Sequence, residues 1–188
     1  MNHSYIRASD AVSADAVSTR AFLQQAVDHY PRLAAFSFTL ALPYREAMSE
    51  YRSLILRFHS EVWQRTCEYS RQRQQARHRS LPTLLRWIWE TASAPECKMV
   101  LLLNLDTLGT GRNLQLTDSA PPGLNAIIAD AWQKVTGTAC TDGVTSMTQI
   151  IINRVAQGVF ATPFNQLTVH VKAMSEPIAT ARTGMICP

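Results

Sequence analysis

The hydrophobic positions of this chain follow two rhythms. Between residues 33 and 42, Phe36, Phe38, Leu40 and Leu42 alternate with Ala35, Ser37, Thr39 and Ala41. That period of two predicts a strand with one heavily apolar face, closed by Pro43. Across 44–79, Met48, Tyr51, Ile55, Phe58, Val62, Thr66 and Tyr69 recur at three- and four-residue steps, which predicts a long helix with a single core stripe. A helix over 14–29 is expected from Ala16, Phe22, Ala26 and Tyr30, with Pro31 ending it. Residues 1–12 read as a flexible tail, leaving a single domain over 13–188.

Residues 84–91 and 98–105 are the next two expected strands, joined as a hairpin. The run Val100-Leu101-Leu102-Leu103 is apolar at every position, so its strand belongs at the centre of a sheet, covered on both sides. Pro121 and Pro122 open a helix that Gly137 stops. A strand over 146–153 and a helix over 163–175 follow, and the chain from Pro177 reads as irregular. This order suggests the α+β class: a central antiparallel sheet layered with helices.

At 188 residues, 46% hydrophobic and 17% charged, the chain has the make-up of a globular protein with a substantial core. No apolar run approaches the ~20 residues of a membrane span, and the first residues lack the layout of a signal peptide. The expectation is a cytoplasmic protein without membrane contact. Cys67, Cys97, Cys140 and Cys187 are scattered with no C-x-x-C pair, so they are expected to be free thiols rather than a zinc site.

The net charge of +4 is carried by 15 Arg against 3 Lys. Arginine grips phosphate in a bidentate fork and stacks on bases, so the bias favours polyanionic partners. Arg71, Arg73, Arg77 and Arg79 end the long helix without an apolar stripe. They suit either phosphate contacts or a solvated helix end favoured by its dipole. Trp87 and Trp89 share one face of their strand, as a base-stacking platform would or as core residues under a helix.

Several pieces recur in order: His29, Pro31 and Arg32; Pro43 and Tyr44; Arg57 and Phe58; Trp87 and Glu90; the Leu-Leu-Leu-Asn strand; Leu108 and Gly109; Ala131 and Trp132. Together they resemble the YagK/YfjJ-type proteins and the related replication initiators of filamentous phages, which are HUH endonucleases. The resemblance implies two His ligands on a middle strand holding Mg²⁺ or Mn²⁺, a tyrosine nucleophile on a nearby helix and a neighbouring lysine.

At the corresponding places this chain carries Cys97 and Met99 for the His-x-His pair, Thr39 and Ser37 on the first strand, and Val169-His170-Val171-Lys172 for the nucleophile motif. Thiol and thioether are soft ligands that bind hard cations poorly. The expectation is therefore a degenerate active site at Thr39, Cys97, Met99, Val169 and His170, with no cofactor and no metal.

Such a protein would bind single-stranded or hairpin DNA without cutting it. Lys98, Arg154, Lys172 and Arg182, with Arg71, Arg73, Arg77 and Arg79, are the expected contacts, and the role is regulation of replication or transcription of a phage or mobile element. The alternative is an anti-CRISPR-like inhibitor that binds a host protein complex.

Overall fold

The computed structural model describes residues 8–45, 47–76, 78, 80–91, 95–108, 122–137, 143–154 and 161–181, and their side chains apart from those of 8–18, 122 and 181. The elements run α1 (Ala8–His29), β1 (Arg32–Ala41), α2 (Met48–Gln75), β2 (Arg86–Trp89), β3 (Glu96–Asn104), a 3₁₀ turn (Leu105–Leu108), α3 (Pro122–Thr136), β4 (Val144–Asn153), α4 (Ala161–Lys172) and β5 (Ile178–Ala181). The five strands form one sheet in the order β4-β1-β3-β2-β5, with every pair antiparallel. The α+β architecture expected from the pattern is the one observed.

The path β1-α2-β2-β3-α3-β4 with order β4-β1-β3-β2 is the split β-α-β arrangement of ferredoxin-like folds. Alternation along the strands sends side chains to two separate cores. On one face, Phe36, Phe38 and Leu40 of β1, Trp87 and Trp89 of β2 and Met99, Leu101 and Leu103 of β3 pack under α2 and α3. On the other, Leu33 and Ala35, Ile88, and Val100 and Leu102 pack under α1 and α4. The first core is built on aromatic edges: Phe58 meets Trp132 at 5.4 Å, Trp87 at 5.7 Å and Phe38 at 6.2 Å between ring centroids, all edge-on.

Most boundaries shift from the pattern by a few residues, and three differences matter most. Helix α1 starts at Ala8, inside the segment read as a tail. Helix α2 starts at Met48 rather than at 44, and Ala47 before it has extended backbone geometry (φ −108, ψ 135). Residues 178–181, read as irregular, form β5 on the free edge of β2. A four-residue segment of Ile, Ala and Thr is too short to show alternation; pairing with β2 is what makes it a strand.

Asn104 ends β3 as a knot. Its backbone N–H donates to Thr83 Oγ1 (2.9 Å), its side-chain amide donates to the Pro82 carbonyl (3.2 Å), and its Oδ1 accepts from the Asp106 N–H (3.1 Å). The segment that returns from α2 to β2 is thereby tied to the end of the central strand.

Between α2 and α3, Glu61 accepts from Arg65 Nε (2.9 Å) and pairs with Lys134 Nζ (2.9 Å). Burial pushes the Glu61 carboxyl up, but hydrogen bonds and charge from Lys134 and Arg65 outweigh it and leave the group below its ordinary range. Cys67 is disulfide-bonded and Cys97 is a buried free thiol, which corrects the expectation of four free thiols. Among the described residues, no helix is long and apolar enough to cross a membrane.

Two outcomes follow from this packing. Phe58→Ala should lower unfolding stability by about 3–5 kcal/mol in urea titration, since it opens a cavity among three aromatic rings. Glu61 ionises more readily folded than unfolded, so its contribution is present above the ordinary glutamate pKa of about 4.3 and fades as pH falls through the lower folded value. Glu61→Gln should therefore flatten the acid limb of the stability curve while leaving its shape above neutrality unchanged.

Candidate functional site

The positions expected to form the degenerate active site lie in three different places. Thr39 pairs across the sheet with Lys98, so these two share the α1/α4 side, where Thr39 is half-buried and Lys98 exposed. Cys97 and Met99 stand opposite Leu40 and Phe38 and point into the α2/α3 core, at 0% and 1% exposure. Val169 is 66% exposed and His170 is exposed, because α4 turns Phe164, Leu167, Thr168 and Val171 inward instead. The residues of β3 nearest Thr39 on its face are Glu96, Lys98 and Val100, none of them a histidine or a thiol. Among the described residues, no three His, Cys, Asp or Glu side chains gather where they could hold a metal ion.

Cys97 is chemically quiet. Burial, with the Glu90 carboxylate nearby, pushes its thiol up to about 12, against a hydrogen bond to the Glu90 backbone. At neutral pH it is a thiol rather than the thiolate needed for nucleophilic attack or metal binding. Trp87 and Trp89 are core residues: His59 of α2 stacks on Trp87 at 4.1 Å with ring planes 9° apart. They offer no base-stacking platform.

The basic candidates among the described residues do not converge either, and four of the five are engaged within the protein. Arg71 pairs with Glu68, and Arg73 lies over the Tyr69 ring at 5.7 Å. Lys98 pairs with Glu90 (3.6 Å), whose carboxylate also accepts from the Ser175 backbone N–H (3.0 Å) where the chain leaves α4. Arg154 donates to the Asp28 carbonyl (2.9 Å) at the end of α1, satisfying a helix C-terminus. Lys172 is exposed at the end of α4. Arg77, Arg79 and Arg182 lie outside the described residues.

A different surface has the unspent charge. Arg45, Arg52 and Arg57 take part in no ion pair among the described residues, and they cluster around the start of α2. Arg45 and Arg57, with Ser49, Glu50, Ser53 and Leu54, line an open cleft of about 330 Å³. The first turn of α2 receives no side-chain cap; the Glu50 N–H bonds to the Ala47 carbonyl (3.0 Å), and the Glu50 carboxylate lies in that turn, where the helix dipole favours negative charge. Tyr44 is 81% exposed, and its neighbour Arg45 is anchored where Tyr51 accepts the Arg45 N–H (2.9 Å).

Pro43-Tyr44-Arg45 is visible in the sequence, but helical periodicity had absorbed Tyr44 into α2. The missing signal was that the helix begins only at Met48, after Ala47 in extended geometry. A larger hollow of about 610 Å³ runs along Thr162, Asn165, Gln166, Val169, His170 and Ala173 of α4, and His170 is its one basic side chain.

In native protein at pH 7–8, Cys97 should resist iodoacetamide and react only once the chain is unfolded, as read by peptide mass spectrometry. Stoichiometric labelling of Cys97 in the folded state would contradict the burial described.

A family model described as "Uncharacterised conserved protein UCP030791" matches residues 6–146. No curated protein and no solved structure matches the chain. The match spans well over half of the sequence, and the chain belongs to that family.

Proposed function

We propose that this protein binds single-stranded or hairpin DNA without cutting it, through the surface at the start of α2, and so regulates replication or transcription of a phage or mobile element in the cytoplasm. The observation that carries the reading is Tyr44, 81% exposed beside an arginine-lined cleft. Single-strand binding needs an aromatic face for a base and cations for the adjoining phosphates. Tyr44 supplies the first; Arg45 and Arg57 supply the second. The sequence likeness to phage replication initiators favours DNA among the polyanions. The separation of Thr39, Cys97 and Val169 favours binding over cleavage.

A second reading rests on its own observation. Three of the large exposed hydrophobics, Tyr44, Met48 and Leu56, fall on or just before the first half of α2. An anti-CRISPR-like inhibitor would use such apolar groups, with Arg52 between Met48 and Leu56, to dock on a host protein complex.

Fluorescent oligonucleotides titrated at several salt concentrations separate the two. DNA binding predicts affinity that falls steeply with salt, losing about 0.7 in log–log slope for each phosphate contact removed. Tyr44→Ala should weaken binding roughly 5- to 150-fold, the equivalent of about 1–3 kcal/mol for one stacked base. Arg45→Ala should lower the salt slope, whereas Arg71→Ala should leave both nearly unchanged. No binding to any oligonucleotide, with salt-insensitive capture of a host protein that Tyr44→Ala abolishes, would replace this proposal with the inhibitor.

A further inference from the structure

Strand β4 is an edge of the sheet, with β1 on one side and no strand among the described residues on the other. Such an edge offers a row of backbone donors and acceptors, which proteins blunt with charged side chains, proline or bulges. Near its start β4 has that protection: Ser146 and Met147 together stand opposite Phe38, and Ser146 takes a φ of 55°. From Thr148 to Asn153 it has none. The register against Arg32–Ser37 is unbroken there, and the run Thr-Gln-Ile-Ile-Ile-Asn holds neither charge nor proline.

The Arg154 N–H donates to the Pro31 carbonyl (2.9 Å), which fixes the parity of the ladder. In antiparallel pairing the backbone groups of alternate residues point to the same neighbour, so those of Ile152, Ile150 and Thr148 also turn toward β1. Those of Asn153, Ile151 and Gln149 turn away from it, toward the open edge. Ile150 and Ile151 are half-buried, each at the margin of one of the two cores. The side-chain oxygen of Gln149 accepts no hydrogen bond among the described residues.

This edge is complementary to itself. A second β4 laid antiparallel, with Ile151 on the two-fold axis, sets Gln149 opposite Asn153 of the other copy and Ile150 opposite its Ile152. Outward backbone groups then meet outward backbone groups, carboxamide meets carboxamide, and isoleucine meets isoleucine on both faces. Arg154 falls opposite Thr148, so no like charges meet, and the register uses the whole regular stretch beyond the bulge. A slip of one residue would set outward groups against inward ones. We propose that the protein forms a two-fold homodimer through β4, joining the two sheets into one. The backbone ladder supplies the pairing, and the half-buried isoleucines lose their remaining contact with water.

The test uses the full chain in sedimentation velocity over roughly 1 to 300 µM, where the mass should rise from one chain to two. Thr148 is exposed, so changing it probes the pairing without touching either core. Thr148→Lys sets a cation against Arg154 of the other copy, twice per dimer, and should weaken association roughly 2- to 30-fold; Thr148→Glu should tighten it by a similar factor. Backbone amides of Gln149, Ile151 and Asn153 should exchange more slowly as concentration rises, while those of Ile150 and Ile152, already turned to β1, should not change. A single-chain mass throughout the range would overturn the dimer. A dimer indifferent to both Thr148 variants, or one whose amides at 149, 151 and 153 stay fast, would overturn this interface.

Discussion

Strand β3 is covered on both sides, and the alternation this imposes governs what else the molecule can do. From Met99 to Asn104 every residue is buried, odd positions under α2 and α3, and Val100 and Leu102 under α1 and α4. Moving the register by one residue would exchange the two sets and strip both cores at once, so the parity is held by the whole hydrophobic effect of the domain. Parity then decides which side chains meet. Thr39 faces Lys98 across the sheet, and nothing on the strand lets it face Cys97 or Met99. A metal pair on those two positions would have to sit inside the aromatic core beneath α2, among Phe38, Phe58 and Trp87.

The parts of the fold legible in the sequence are those where a long run of residues shares one environment. β1 and the buried stripe of α2 show their periods over ten residues or more, and the doubly apolar run of β3 announced a central strand. Short or context-made features did not show. β5 carries Ile-Ala-Thr-Ala and exists because β2 has a free edge. Trp87 and Trp89 were read correctly as sharing a face, but only the packing of His59 on Trp87 places that face in the core. Asn104 was visible as the end of an apolar run; that it ties down Pro82 and Thr83 is a long-range fact that spacing cannot carry.

The candidate site was less legible because charge counts do not say which charges are already spent. Among the described residues, five ion pairs hold elements together: Arg32 with Asp106 at the head of β1, Lys134 with Glu61 and Arg65 with Asp130 between α2 and α3, Lys98 with Glu90, and Arg154 with Asp28; two more, Arg65 with Glu61 and Arg71 with Glu68, lie within α2. The arginines that looked most available in the sequence, in a dense run at the end of α2, include one neutralised by its own helix and one lying on a tyrosine ring. Those spaced apart at 45, 52 and 57 make no ion pair among the described residues. A positive field outside the protein comes from the second group, since a paired charge is largely cancelled within a Debye length of about 8–10 Å.

The arginine surface is held in place by the anchoring of α2 itself. Tyr51, Leu54, Ile55, Phe58 and Val62 pin the first half of the helix to β1, β2 and β3, with Trp132 of α3 against Phe58. The same helix turns therefore carry Arg52 and Arg57 outward and the core stripe inward, so the charges cannot shift without the core. Displacing them would require α2 to move as a whole, which the aromatic core resists because Phe58 is locked edge-on by three rings at once.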